Sequence, residues 1–173
     1  QLVDQLITGF QNLSLDFYYP QNLRLLGQYF GEQLLPVGIE LKLHPLSDQE
    51  LQEKFQAGQL GFYYLGWRHD SGDALPFLKA VLHSRGGDGY GIYNGSSYAN
   101  PDVDLLIERS ETNFNERERL ADMQEAMRLA VQEDLAGLPL FESMSIFAHA
   151  PSLQFTPRVD SLIFPSSISK SSQ

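Results

Sequence analysis

"LGFYYLGW", residues 60–67, is an almost unbroken apolar run of strand length. Such a run is expected of a strand buried on both faces, as in a parallel sheet. The segments before it fit that reading. "LSLDFYY" (13–19) alternates Leu13, Leu15 and Phe17 against Ser14 and Asp16, and Pro20 closes it as a strand. From Asn22, Leu23, Leu26, Phe30 and Leu34 recur at helical spacing until Pro36 and Gly38 stop them. "IELKLHPL" returns to strand period, with Ile39, Leu41 and Leu43 opposed to Glu40, Lys42 and His44. Ser47 followed by Glu50 is a capping box opening a short helix, with Leu51 and Phe55 inward and Gly58 past its end. The order β-α-β-α-β predicts an α/β architecture with an open sheet flanked by helices.

Beyond residue 67 the pattern is mainly helical. A short helix is expected around Pro76–His83, followed by the Gly-rich loop "SRGGDGYGIYNGSS" (84–97). Asn100 and Pro101 have the chemistry of an N-cap and first helical residue. Asn115 to Glu118 is a second capping-box candidate, opening the longest helix. Leu120, Met123, Met127, Val131 and Leu135 should form its apolar stripe, with Gly137 as its stop. "LPLFESMSIFAHA" (138–150) reads as a long strand. No repeat or clear linker divides the chain, so residues 1–173 are expected to form a single α/β lobe, with 165–173 as a frayed Ser-rich tail.

Composition narrows the function. Acidic residues outnumber basic ones by 22 to 12, for a formal net charge of −10, which argues against a nucleic-acid partner. A hydrophobic share of 42% is that of a folded domain. There is no cysteine, which removes disulfides, thiolate metal sites and thiol nucleophiles together. No window approaches 18 uninterrupted apolar residues, so no membrane span is expected. The opening "QLVDQLITGF" lacks the character of a signal peptide, and the two ends together suggest a piece of a longer protein.

The candidate chemistry follows the third strand, in "GWRHDSGDALPFL" (66–78). Ligands of open α/β sheets bind beyond the carboxyl ends of the strands, where Trp67, His69 and Asp70 stand. A carboxylate there could pair with an ammonium group while the indole shields the pair from water. Asp70 as a plain loop residue is the open alternative. Asp73 is expected to cap the helix that follows it. His69 either orients Asp70 or lies exposed on the loop. Tyr90 and Tyr93, among the five glycines 86, 87, 89, 91 and 95, could lend flat contact area and hydroxyls to a ligand, or belong to a mobile surface excursion. Histidines 44, 69, 83 and 149 have no metal-ligand spacing, and no G-x-S-x-G motif occurs, so no metal, cofactor or catalytic residue is expected. Asp70 and Asp73 as a glycosidic acid pair is a weak rival.

The order and spacing of these pieces resemble the C-terminal lobe of family 5 extracellular solute-binding proteins, the peptide- and nickel-binding components of ABC importers. The likeness runs from Leu13 to about Phe164. It is carried by "LDFYYPQNLRLLGQYFGEQL", "VGIELKLHPL", "FQAGQLGFYYLGW", "DSGDALPFL", "YANPDVDLLIERS", "ERERLADMQEAMRLAVQEDLAGLPLF" and "LQFTPRV". The resemblance implies a periplasmic-binding-protein-like lobe with a mixed open sheet, not an enzyme. It also implies that Asp70 receives the α-ammonium group of a peptide. Asp73-Ala74 departs from the Asp-Pro frequent in the family, so the turn before the helix is expected to differ. The implied partners are a small peptide or other small solute, ABC permease membrane subunits, and an N-terminal lobe of the same protein. The implied location is periplasmic or extracellular, with a lipid anchor on the parent protein as an option. The same fold also serves nickel chelates, haem, opines or sugars, or the sensor domain of a transcriptional regulator.

Overall fold

The computed structural model describes residues 13–69, 71–158, 160 and 162–170. Strand β1 (Leu13–Pro20) lies at the centre of a three-stranded parallel sheet, between β2 (Ile39–Leu46) and β3 (Phe62–Tyr63). Leu13 pairs with Ile39 and the register runs unbroken to Pro20 and Leu46. The alternation in β1 sends Phe17 and Tyr19 to one face and Tyr18 to the other, and each face receives one helix.

Helix α1 (Arg24–Leu34) covers the Phe17/Tyr19 face. Its approach depends on Gly27, because a Cβ there would lie 2.4 Å from Tyr19 Cζ. Phe17 and Tyr19 are almost wholly buried, each contributing roughly 1.5–3 kcal/mol through removal from water. A short 3-10 turn (Leu35–Val37) and Gly38, at φ 85°, end the helix as expected.

Helix α2 (Asp48–Ala57) covers the opposite face, where Leu51, Phe55 and Leu60 pack with Tyr18, Leu46 and Tyr63. Its capping box is formed: the Glu50 amide donates to Ser47 Oγ at 3.3 Å, and the Ser47 amide to Glu50 Oε2 at 2.8 Å. Gly58 closes the helix at φ 64°, in the left-handed region that favours glycine.

Strand β3 departs from expectation. Only Phe62 and Tyr63 pair with β1, extended by the Tyr64 amide donating to the Tyr18 carbonyl at 2.9 Å. Phe62 is 43% exposed, so this is an edge strand and not one buried on both faces. The apolar run has two separate uses: Leu60 enters the α2 core, and Trp67 leaves the sheet for a second cluster. The described sheet is parallel throughout. The antiparallel pairing of β4 (Leu153–Gln154) with β5 (Ser169–Lys170) is separate from it and orders part of the expected tail.

The second core is helical. Helix α3 (Leu75–Phe77) widens into a π-helical turn (Leu78–Leu82) and packs against α4 (Pro101–Thr112) and α5 (Glu116–Met127). Leu78, Leu82, Val103, Ile107, Met123, Ala126 and Ala130 fill it. Asn100 caps α4, accepting from the amides of Asp102 and Val103. Asn115 caps α5, and Glu118 answers the Asn115 side chain instead of its backbone, so the box is only half formed.

The stripe expected on α5 is corrected at both ends. Leu120 is exposed, and Leu135 is 76% exposed. Ala126 faces the core from the regular helix, and a π-helical turn over Arg128–Glu133 rotates the register beyond it, with Ala130 buried. Leu135 ends the helix at φ 53°, ahead of Gly137. Residues 138–150, expected as a strand, carry no strand pairing. Among the described residues, the last buried core residue is Ala130, with Val131 and Ala136 packed against the cluster beyond it.

Candidate functional site

The sheet order β2-β1-β3 makes a topological switch. The chain leaves β1 toward β2 over one face and returns past β1 to β3 over the other. The crevice beyond the carboxyl ends of β1 and β3 is where such sheets take ligands. Residues 64–69 run from β3 into that crevice.

Trp67 is partly buried there, with its ring edge-to-face on Phe77 (centroids 5.8 Å apart, 68°) and on Tyr93 (5.8 Å, 72°). Tyr93 stands in turn against Phe55 at 5.4 Å. These edge-to-face contacts are each worth about 0.5–1.5 kcal/mol beyond area burial. The wall therefore draws on both cores, through Phe77 from the helical one and Phe55 from the sheet. The Trp67 indole N–H is buried and finds no acceptor among the described residues.

The Gly-rich loop is tightly framed. The Gly91 amide donates to the Lys79 carbonyl at 2.9 Å and the Tyr93 amide to the Ala80 carbonyl at 2.8 Å. Buried Asn94 donates to the carbonyls of His83 and Tyr98, at 3.0 and 2.7 Å. Gly91, at φ 63°, lies so close to the backbone of His83 and Arg85 that a Cβ would come within 2.8 Å of both. This frame sends the two tyrosines to different places. Tyr93 joins Trp67, whereas Tyr90 lies over His83 at 4.1 Å and donates its hydroxyl to Glu111. That bond pushes the Tyr90 hydroxyl up to about 12, and together with Lys79 it holds Glu111 below the usual carboxylate range. Tyr90 is thus engaged in fastening the loop to α4.

The turn after Trp67 is also fastened. His69 is exposed, and its Nδ1 lies 2.8 Å from Ser71 Oγ, which accepts from the Asp73 amide at 3.2 Å. Asp73 Oδ1 accepts from the Leu75 amide at 2.8 Å, but the N-cap of the helix is Ala74, so Asp73 ties down the turn before the helix instead of capping it as expected. Arg119 of α5 donates to Asp73 Oδ2 at 2.7 Å and to the Ser110 carbonyl at 3.0 Å. The Leu75 amide, chiefly, and Arg119 hold the Asp73 carboxyl below its usual range against a smaller cost of burial. Asp70 lies outside the described residues.

Of the five sequence candidates, Trp67 and Tyr93 come together, Tyr90 is engaged elsewhere, and His69 binds within its own turn. Phe77, Phe55 and Arg119 were missed as parts of the site. Their roles arise from contacts across the chain that no local periodicity announces. Among the described residues, no three histidine, aspartate or glutamate side chains cluster to hold a metal ion. A hollow of about 200 Å³ beside the ends of β1 and β2, lined by Tyr19, Arg24, Gln28, Leu43 and Pro45, does not include Trp67. The wall is an open face rather than an enclosed pocket.

No protein-family profile matches the chain. No curated protein matches it in sequence. Solved structures share its fold. A peptide-binding protein of a peptide ABC transporter aligns with a TM-score of 0.59 at 17% identity, over 74% of this chain and 56% of that one. The periplasmic binding protein DppA from Helicobacter pylori, in complex with the peptide STSA, aligns at 0.61 and 20%, over 75% of this chain and 25% of its own. NikA from Staphylococcus aureus, in complex with Ni(L-His)2, aligns at 0.63 and 16%, over 78% and 30%. The chain thus has the α/β fold of a lobe in peptide- and nickel-binding ABC solute-binding proteins, and it spans about a quarter to a half of their length.

Proposed function

We propose that this chain is one lobe of a two-lobed solute-binding component of an ABC importer, capturing short peptides and passing them to membrane permease subunits. The observation that supports this best is the aromatic wall of Trp67, Tyr93 and Phe77, set at the topological switch and open on one side. Such a wall is one side of a cleft, suited to holding a ligand. Asp70, three positions beyond Trp67 in the sequence, supplies the carboxylate for the peptide's ammonium terminus, and the Asp73–Arg119 tie fastens the described turn over residues 71–75. Main-chain recognition at that end leaves the side chains of the peptide free to vary.

The second wall is an N-terminal lobe of the same protein. Support comes from residues 138–146, where Leu138, Met144 and Ile146 are 81%, 87% and 91% exposed. Apolar side chains in such a run need a covering surface, which the described residues do not supply. The ligand stabilises the closed state by touching both walls. Among the described residues no helix is long and apolar enough to cross a membrane, and a periplasmic or extracellular site of action belongs to the same proposal.

The test is a thermal-shift series on the full-length protein with mixed di- to pentapeptides bearing free or acetylated amino termini. Stabilisation by the free peptides alone supports an ammonium-binding importer component. Equal stabilisation by both removes the ion pair. No response to peptides, with stabilisation by a nickel–histidine chelate, moves the assignment to another solute.

A further inference from the structure

Arg85 has no carboxylate partner among the described residues; its guanidinium is spent on three main-chain carbonyls. Nη1 donates to the Phe55 carbonyl at 2.7 Å and to the Asn94 carbonyl at 3.1 Å, and Nη2 donates to the Gln56 carbonyl at 2.6 Å. Phe55 and Gln56 are in the last turn of α2, where the Phe55 carbonyl also accepts from the Gly58 amide at 3.0 Å and the helix dipole favours a cation. Asn94 directly follows Tyr93. One planar fork therefore joins the end of the sheet-covering helix to the loop that carries Tyr93 of the aromatic wall.

The surroundings leave that loop little freedom. The Leu60 amide donates to the Gly95 carbonyl at 3.0 Å. A Cβ at Gly95 would come within 2.7 Å of Leu60 Cβ. The Tyr63 hydroxyl donates to the Tyr93 carbonyl at 3.0 Å. Phe55, whose carbonyl Arg85 holds, has its ring edge-to-face on Tyr93. We propose that Arg85 is a positioning residue for the solute site: by clamping α2 to Asn94 it sets where Tyr93 stands against Trp67. The inference rests on the proposed function, and it adds a determinant of affinity that touches no ligand.

Trp67 is the chain's only tryptophan, which gives a local probe. The full-length protein is labelled with 5-fluorotryptophan, and the Trp67 ¹⁹F resonance is identified by its loss in Trp67→Phe. Arg85→Gln should shift or broaden that resonance and weaken binding of a mixed tripeptide pool by about threefold to tenfold. Arg85→Lys should behave nearly as badly, because an ammonium cannot reproduce the planar fork. Val103→Ala, in the helical core, serves as the stability control and should leave the resonance in place. An unmoved Trp67 signal in folded Arg85→Gln overturns the proposal, as does an equal shift in Val103→Ala. If the wild type binds no peptide while Arg85→Gln still moves Trp67, the positioning role stands and the peptide assignment fails.

Discussion

Arg119 lies 46 positions after Asp73, yet its guanidinium donates to Asp73 Oδ2 at 2.7 Å and pins the turn after Trp67 to α5. Because Asp73 titrates below its usual range when folded, this pin has a defined pH dependence. A lowered carboxyl value stabilises the fold above the ordinary aspartate range, and that contribution is lost as acid protonates the group. The protection of the amides of residues 71–75, once exchange rates are corrected for their intrinsic pH dependence, should therefore fall as pH drops below about 4. Asp73→Asn, which keeps the acceptor for Leu75 but not the charge, should flatten the response. An unchanged pH profile in that variant would place the effect elsewhere.

Asp70→Ala in the full-length protein should weaken peptide binding at least tenfold, or about 1.4 kcal/mol, as read by calorimetry. Acetylating the peptide should produce a similar loss in the wild type and little further loss in the variant. Losses that add in full would mean that Asp70 does not meet the ammonium group.

Gly27→Ala tests how α1 sits on the sheet. On helix propensity alone the change stabilises by about 0.8–1 kcal/mol. Here the new Cβ falls 2.4 Å from a Tyr19 ring that is itself buried and cannot swing away. The clash should prevail, with a net destabilisation of about 1–3 kcal/mol by denaturant unfolding. A more stable variant would show that α1 can lift from β1.

The exposed apolar side chains at 138, 144 and 146 predict that the 173-residue chain, prepared alone, self-associates as its concentration rises. Replacing Leu138, Met144 and Ile146 with Ser should suppress association in sedimentation velocity without lowering stability. In the full-length protein the same triple change should be costly, because the proposed other lobe would cover these side chains. A monomeric wild-type chain at all concentrations would count against that covering surface.

Much of the first half of the fold was legible because local chemistry and tertiary use coincide there. The alternation of β1, the Ser47–Glu50 box and Gly58 each do in the structure what their neighbours in sequence suggest. Legibility fails where one apolar run serves two purposes: Leu60 and Trp67 share a stretch yet enter different clusters. It fails again at α5, where a π-helical turn shifts the register and leaves Leu135 in water. Residues 138–150 have strand composition without a partner strand, which no sequence period can reveal. At the site, Trp67 stood out as a lone aromatic beyond a strand end. Separating Tyr93 from Tyr90 required knowing that Lys79 and Ala80 hold the loop between them.

The main chain at position 93 is held by hydrogen bonds to the Ala80 carbonyl on one side and from the Tyr63 hydroxyl on the other. The ring it displays adds packing on Phe55 and Trp67 but takes no part in those hydrogen bonds. A socket of this kind can be refitted: exchanging the phenol for another ring or an aliphatic group changes what the wall offers a solute while the frame stays in place. Solute preference could then drift between related proteins by single substitutions at one position, without any change in the route the backbone takes.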